Sequence, residues 1–396
     1  MSTIPITEQS MLPCRVALVE FYADGHHAPY CHDLAIGLEE MGVQVMVLGP
    51  SILRETIGND RFISLNGCER LDNLKGMCRQ WASLHMSREA IAKAMVWHPT
   101  HIHFLYADWH VSAIAAAWRL SLPAAKLVLT IHWNTSVGAE DGLGVRNRLR
   151  RYPHQVALRW LADQVDARIL VHHETIARKL AGIVDLNQIG VVPYPTKTLP
   201  IVGVEIQVEF RNAICVDKYD KLILCFGGTR FDKGADLAIR ALAGLPDQFH
   251  LLIAGIAQHF QPHALRKLAA ALGVEDRLHL NTGFLSDEEV ALVFHACDII
   301  LLPYRRQFSG QSGPLIQAAA IGKPVVVADC TVLAETVQAF HLGIIFPSED
   351  TSAMVDAVQA VAQWHPASED TNAFVSYHSP QSFVRATHRN YQLINH

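Results

Sequence analysis

The chain repeats one rhythm. Short apolar runs alternate with longer amphipathic stretches, and this constrains the fold more than any other feature. Arg15–Tyr22 (RVALVEFY) and Val43–Leu48 (VQVMVL) read as strands, as do 101–106, 126–132, 167–172 and 188–192. Helices fit at 29–41, 87–95, 109–119, 148–162 and 175–181. The runs are apolar throughout rather than on alternate positions. A strand with that pattern is buried on both faces, as in a parallel sheet covered by helices. Runs of this length separated by helices predict a doubly wound α/β architecture.

The rhythm then breaks. Pro193-Tyr194-Pro195 and Pro200 interrupt it, and 201–220 has weaker periodicity, so a linker is expected there. Strands resume at 222–226, 251–254, 277–280, 299–302, 324–328 and 343–346, again with helical stretches between them. The last segment, 380–394, reads as one more helix. With 396 residues, 50% apolar and 18% charged, the chain is long enough for two full cores. The expected division is 1–197, 198–378 and a terminal segment 379–396. A ligand is expected near the carboxyl ends of the strands.

Composition excludes several classes. Lys plus Arg is 33 and Asp plus Glu 38, a net charge of −5, which excludes a wholly basic polyanion binder; no nucleic-acid partner is expected. No apolar run reaches the ~18–20 residues of a membrane span. The polar start, residues 1–12, lacks the order of a signal peptide, so a cytoplasmic protein is expected. The eight cysteines are scattered without C-x-x-C pairs and read as reduced, buried thiols. Histidine is abundant at 22, and His101 and His103 fall on one face of a strand. Without Cys pairs or H-E-x-x-H, they read as structural, and no metal is expected.

Two turns suit an anion. Phe226-Gly227-Gly228-Thr229-Arg230-Phe231-Asp232-Lys233-Gly234 follows the first strand of the second half. Its glycines allow close backbone approach to a ligand, and Arg230 and Lys233 supply charge. The second turn runs from Pro303 to Pro314 after the strand 299–302. Ser312 and Gly313 are placed at a helix N-cap and Pro314 just inside, where exposed amides favour an anion.

These segments resemble the family 4 glycosyltransferases, which have the GT-B fold. The resemblance rests on 226–234 (FGGTRFDKG), 282–290 (TGFLSDEEV) and 296–328 (ending QSGPLIQAAAIGKPVVVAD), and on 17–50 and 130–134 (TIHWN) in the first half. It implies two Rossmann-like domains facing a central cleft. The second would hold a nucleotide-diphosphate sugar and the first an acceptor, with the terminal helix crossing back to the first. It further implies catalytic roles for His132, Arg230 and Lys233. Donor contacts would come from Gly227, Gly228, Phe284, Ser309, Gln311, Ser312, Gly313 and Gln317. The loop Gly25, His26 and His27 would lie under the phosphates and acceptor. No cofactor or metal is implied, because two cations and a helix N-terminus can stabilise the departing diphosphate. The resemblance also implies retention of configuration and a setting in cell-surface polysaccharide or lipopolysaccharide assembly.

The sequence departs from the common family pattern. The usual pair of glutamates, eight positions apart, is replaced by Ser309 and Gln317, and the position five before Lys233 is Gly228 rather than Arg. A bacterial branch with an Arg-x-x-Lys-Gly turn and Gln-Ser-Gly in place of the first Glu matches better. The missing carboxylates leave two other readings open. One is a non-catalytic GT-B protein that binds a nucleotide, a glycan or a partner enzyme. The other is a nucleotide-sugar epimerase, which needs carboxylates for proton abstraction. The segment Arg146 to Arg159 carries five arginines interleaved with apolar residues and Trp160. It reads first as a solvated helix face. It also suits an anionic membrane surface, which would make the protein peripheral on the inner face of the plasma membrane.

Overall fold

The computed structural model describes residues 14–25, 27–132, 145–196, 199–308, 310–329 and 331–393, without the side chains of 72, 145–150 and 331. The chain divides into two compact units, Met1–Val192 with Phe383–His396, and Pro193–Ser382. In the first, seven strands form one sheet among the described residues. They are β1 (Arg15–Val19), β2 (Gln44–Gly49), β3 (Phe62–Ser64), β4 (His101–Phe104), β5 (Lys126–Ile131), β6 (Arg168–Val171) and β7 (Ile189–Val191). Their order is 3-2-1-4-5-6-7, and every pairing is parallel.

The second unit repeats the plan with β8 (Lys221–Phe226), β9 (Phe249–Ala254), β10 (Leu278–Asn281), β11 (Ile299–Leu302), β12 (Val325–Ala328) and β13 (Gly343–Phe346). The order is 10-9-8-11-12-13, again parallel throughout. β4, β11 and β12 are buried at every position, which is why their sequences do not alternate. Each sheet reverses its winding once, between β1 and β4 and between β8 and β11. In such sheets ligands bind outside the strand carboxyl ends at that reversal. Both units are Rossmann-like, the α/β architecture expected from the apolar rhythm.

Several elements differ from expectation. The three-residue β3 is too short to register as a run. The helix Gly76–Val96 starts well before Ser87, and its first turns leave Met77 and Trp81 exposed. The supposed linker 201–220 contains the helix Val204–Ala213, which fully buries none of its residues. Polar contacts hold it instead, with Arg211 donating to Asp298 Oδ2 at 2.9 Å and Asp220 O at 2.8 Å. The helix Ser368–Tyr377 was not expected at all, and it fully buries only Phe374. Cys78 and Cys215 are exposed, against the expectation of buried thiols, while Cys31, Cys68, Cys225 and Cys297 are buried.

The helix Pro380–Leu393 buries Phe383, Val384, Thr387, Asn390 and Tyr391, one face at helical spacing. Phe383, Val384 and Tyr391 join the core around Val16, Leu18 and Leu34. Gly37 permits this contact, since a Cβ there would lie 2.5 Å from Val384 Cγ2. His101 and His103 explain themselves here. His101 Nε2 donates to Tyr391 O at 3.2 Å. His103 bridges Tyr391 Oη and Thr130 Oγ1, both at 2.7 Å. The shared face of these two histidines fastens the terminal helix.

Candidate functional site

The turn after β8 is shaped by two glycines. Gly227 has φ +116°, a region that side chains avoid, and a Cβ there would lie 2.6 Å from Lys233 Nζ. Gly234, at φ +67°, caps the helix Ala235–Leu242, and a Cβ on it would strike the carbonyl of Pro303 after β11. Lys233 therefore folds back over the Gly227 backbone. Its ammonium lies 5.3 Å from the ring centre of the buried Tyr304. Among the described residues it has no carboxylate within ion-pair distance.

Arg230 is differently placed. Its Nε and Nη2 donate to Asp232 Oδ1 and Oδ2 at 2.9 and 2.8 Å, a bidentate pair. The two expected cations are thus unequal: Asp232 balances Arg230, and Lys233 keeps its charge for a ligand. A third cation, Arg305, holds the turn from beneath and was not singled out in the sequence. It is 5% exposed, donates to Asp236 Oδ2 at 2.7 Å and to the carbonyl of Phe231, and stacks 3.9 Å from the Phe231 ring centre. Its own backbone N–H donates to Asp232 O at 2.8 Å. Arg305 thereby sets the turn that presents Lys233.

The turn opens into a cavity of about 280 Å³ whose walls include Gly227, Gly228, Arg230, Lys233, Gln258 and Phe284. Phe284 is largely exposed at the rim, and Gly228 gives Gln258 room, since a Cβ would lie 2.5 Å from Gln258 Oε1. Gln258 was missed in the sequence. Its signal was Gly255 after the apolar β9, the same strand-then-glycine pattern that marks Gly227. Gln311, Ser312, Gly313 and Gln317 do not line this cavity. They follow β11, the neighbour of β8. Ser312 caps the helix Gly313–Ala320 by accepting from Leu315 N at 3.3 Å. Its Oγ lies 3.2 Å from Tyr304 Oη, so Lys233, Tyr304 and Ser312 form one chain of contacts across the reversal of the second sheet. Gln311 and Gln317 are half-buried, and Gly313 is exposed. Ser309 lies outside the described residues.

In the first unit, polar groups gather at the carboxyl ends of β1 and β4. Gly25 is exposed at φ +59°, and His26 lies outside the described residues. His27 opens the helix His27–Glu40, with Nδ1 3.2 Å from Glu20 Oε2. Glu20 is itself buried, and its Oε1 accepts from Tyr22 N at 3.0 Å. Burial opposes a charge on His27. The Glu20 carboxylate, by charge and hydrogen bond, and then Asp24 and Asp108 outweigh that and hold its pKa above the ordinary value. His132 is buried, with Nε2 donating to Leu105 O at 3.0 Å and its backbone N–H donating to Asp108 Oδ2 at 3.1 Å. Asp108 and His110 are fully buried. His110 joins Tyr22 Oη at 2.9 Å and Ser83 Oγ at 2.8 Å. The signal for Glu20 was an acidic residue inside an apolar run. No group of three or more His, Cys, Asp or Glu among the described residues could hold a metal. No helix among them is long and apolar enough to cross a membrane.

A glycine-framed cation at the first strand of a doubly wound unit has the chemistry to hold an anion. Residues 220–363 match the family described as Glycosyl transferases group 1. This stretch is a glycosyl transferases group 1 domain. It spans β8 to β13 and so includes the Lys233 turn and the cavity. The lipopolysaccharide core biosynthesis mannosyltransferase LpsB of Rhizobium meliloti (strain 1021) is 31% identical over 171 residues, 40% of this chain and 46% of that protein. The chain thus spans just under half the length of that relative. Among solved structures, sucrose-phosphate synthase from Thermosynechococcus elongatus aligns with TM-score 0.74 at 16% identity, covering 96% of this chain and 99% of that one. Anabaena Alr3699/HepE in complex with UDP aligns with TM-score 0.73 at 14% identity, with 96% and 99% covered. The fold is that of the GT-B glycosyltransferase structures.

Proposed function

We propose that the protein is a glycosyltransferase that moves a sugar from a nucleotide-diphosphate sugar to a glycan or lipid-linked acceptor. The observation that carries this reading is the Lys233 ammonium, held over the Gly227 backbone and the Tyr304 ring in the group 1 domain, with no carboxylate among the described residues to neutralise it. Fixed positive charge at that point stabilises the negative charge that develops on a departing diphosphate. Arg230 supports the same phosphates once its pairing with Asp232 is shared. Gly228, Gln258 and Phe284 bound the nucleotide side, and the Ser312–Gly313 helix start offers further N–H donors. Gln311, Ser309 and Gln317 act on the sugar and ribose. His132, His27 and the loop at Gly25 and His26 serve the acceptor and the transferred sugar.

The two lysine-turn cations and backbone amides perform this without a metal. The reaction retains anomeric configuration, and the chain sits in the family 4 branch with Gln-Ser-Gly. The setting is cell-surface polysaccharide or lipopolysaccharide assembly, consistent with the relative named for lipopolysaccharide core synthesis. The protein works in the cytoplasm, at the inner face of the plasma membrane, with the arginines of 146–159 toward anionic lipid.

Calorimetric titration of the purified chain with UDP, GDP and ADP, in the absence of metal, tests the donor site. One nucleotide is expected to bind at micromolar Kd. Lys233→Ala, which loses a charge-assisted contact of ~1.5–3 kcal/mol, is expected to weaken it roughly tenfold to a hundredfold. Well-folded protein that binds none of the three refutes the reading.

A further inference from the structure

A second concavity lies in the first unit, between the helices Gly76–Val96 and Val111–Ser121. It has a volume of about 710 Å³, within the ~300–1,000 Å³ usual for small-molecule sites. The helix Gly76–Val96 contributes Met77, Trp81 and Leu84, which share one face at helical spacing. Trp109 and Ala116 face them from around the helix Val111–Ser121, and Pro153 closes one side. Met77 is 73% and Trp81 58% exposed. Large apolar side chains left in water on a single wall mark a binding groove more than a packing accident.

The polar lining is sparse and has one sign. Among the described residues no Asp or Glu borders the groove; Arg79, Gln80, Ser112 and His154 do. Gln80 Nε2 donates to Trp109 O at 3.3 Å, and Ser112 Oγ lies 3.1 Å from His154 Nδ1, so these three have partners of their own. Arg79 is different. Its Nη2 donates to Tyr22 Oη at 2.7 Å. Its Nε is buried with no hydrogen-bond partner, and no carboxylate pairs with it among the described residues. A half-buried guanidinium without a counter-ion bears an uncompensated desolvation cost. An incoming anion would remove that cost.

We infer that this groove binds an anionic amphiphile: one long alkyl or isoprenoid chain along Met77, Trp81, Leu84, Trp109 and Ala116, with a phosphate headgroup on Arg79. The chain gains the apolar wall and covers Trp81 and Met77. The phosphate gains a groove-lining guanidinium that has no carboxylate partner among the described residues, and the guanidinium fork is what oxyanions prefer. Through Tyr22 Oη the headgroup end reaches the His110 and His27 cluster, so a bound amphiphile presents its polar end to the carboxyl ends of β1 and β4.

The test uses the full chain and dodecyl phosphate as a monomer in solution, with a chain-brominated alkyl phosphate to quench Trp81 and Trp109. Saturable quenching is expected, weakened at least tenfold by Arg79→Gln. Ala116→Phe, at an exposed position that tolerates bulk without refolding, is expected to block the groove and abolish quenching. Dodecyl maltoside, with the same chain and no charge, is expected to bind at least tenfold more weakly. Any of three results overturns the inference: no saturable quenching by folded protein, equal affinity for the uncharged detergent, or binding unchanged by both substitutions. The outcome does not depend on nucleotide binding at Lys233, so the two sites succeed or fail separately.

Discussion

Acid should destabilise the first unit. His103 and His110 are fully buried, and burial, followed by neighbouring positive groups, depresses their pKa to about 3. His101 is lowered to about 4, chiefly by burial, against a raising contribution from its bond to the Tyr391 carbonyl. The ordinary value in the unfolded chain is 6.5. The folded state therefore keeps these rings neutral while the unfolded chain takes up protons. Stability from a depressed histidine is complete above pH 6.5 and is lost as the pH falls toward the folded value. Each pH unit below 6.5 costs ~1.4 kcal/mol per histidine, so at pH 5.0 each costs roughly 2 kcal/mol and the three on the order of 6 kcal/mol. That is comparable to the ~5–15 kcal/mol that holds a domain together. His27 opposes the trend, because a raised pKa contributes stability at low pH that is lost as the pH rises through it. One such group offsets part of three. Six of the seven tryptophans (81, 97, 109, 118, 133 and 160) belong to the first unit, and only Trp364 to the second. Urea unfolding followed by tryptophan fluorescence between pH 7.5 and 5.0 thus reports mainly the first unit, and far-UV circular dichroism reports both. The fluorescence midpoint should fall steeply below pH 6.5. A flat free energy across that range would refute the assignment of neutral buried histidines.

Other perturbations follow from the same contacts. Gly227→Ala places a methyl 2.6 Å from Lys233 Nζ at φ +116°, so it should displace the ammonium and cost about 1–3 kcal/mol of backbone strain. Calorimetry should show nucleotide binding weakened about as much as by Lys233→Ala, and thermal melting should show the added strain that Lys233→Ala lacks. Tyr391→Phe removes the hydroxyl 2.7 Å from His103 Nδ1 and leaves a buried ring nitrogen unsatisfied, a loss of about 1–3 kcal/mol in urea unfolding. An unchanged midpoint would mean that the terminal helix does not dock through that bond. Arg305→Met leaves the half-buried Asp236 without its partner and should cost the second unit about 1–3 kcal/mol by denaturant titration, together with a loss of nucleotide binding because the Lys233 turn loosens.

How far each element was legible depends on what it buries. Strands β8, β11 and β12 are enclosed on both faces, and such strands cannot conceal a continuous apolar run. β3 is three residues long, and the helix Val204–Ala213 buries no stripe, so neither leaves a periodic trace. The beginning of the helix Gly76–Val96 was missed although Met77, Trp81 and Leu84 recur at helical spacing; they face a groove rather than a core. At the candidate site, Gly227, Gly228, Arg230 and Lys233 stood out because glycines and cations after an apolar strand are a local pattern. The pairing of Arg230 with Asp232, which separates its role from that of Lys233, was not visible, since either cation could have reached that carboxylate. Gln258 enters the cavity from β9, and no short motif joins it to the turn after β8.

The sequence by itself determined two runs of buried parallel strands, the break after Val192, and a glycine-framed cationic turn at the first strand of the second run. Strand burial, helix starts and glycine turns depend on residues within a few positions of one another, so they can be read in order along the chain. Only the tertiary structure decided which side chains meet. Arg305 reaches Asp236 across 69 positions, and His101 reaches Tyr391 across 290. Such partners are brought together by the winding of a sheet and the return of a terminal helix. Local propensity is blind to both, and so the structure alone assigns Lys233 its unneutralised charge, His103 its place as a bolt, and Arg79 its vacant N–H.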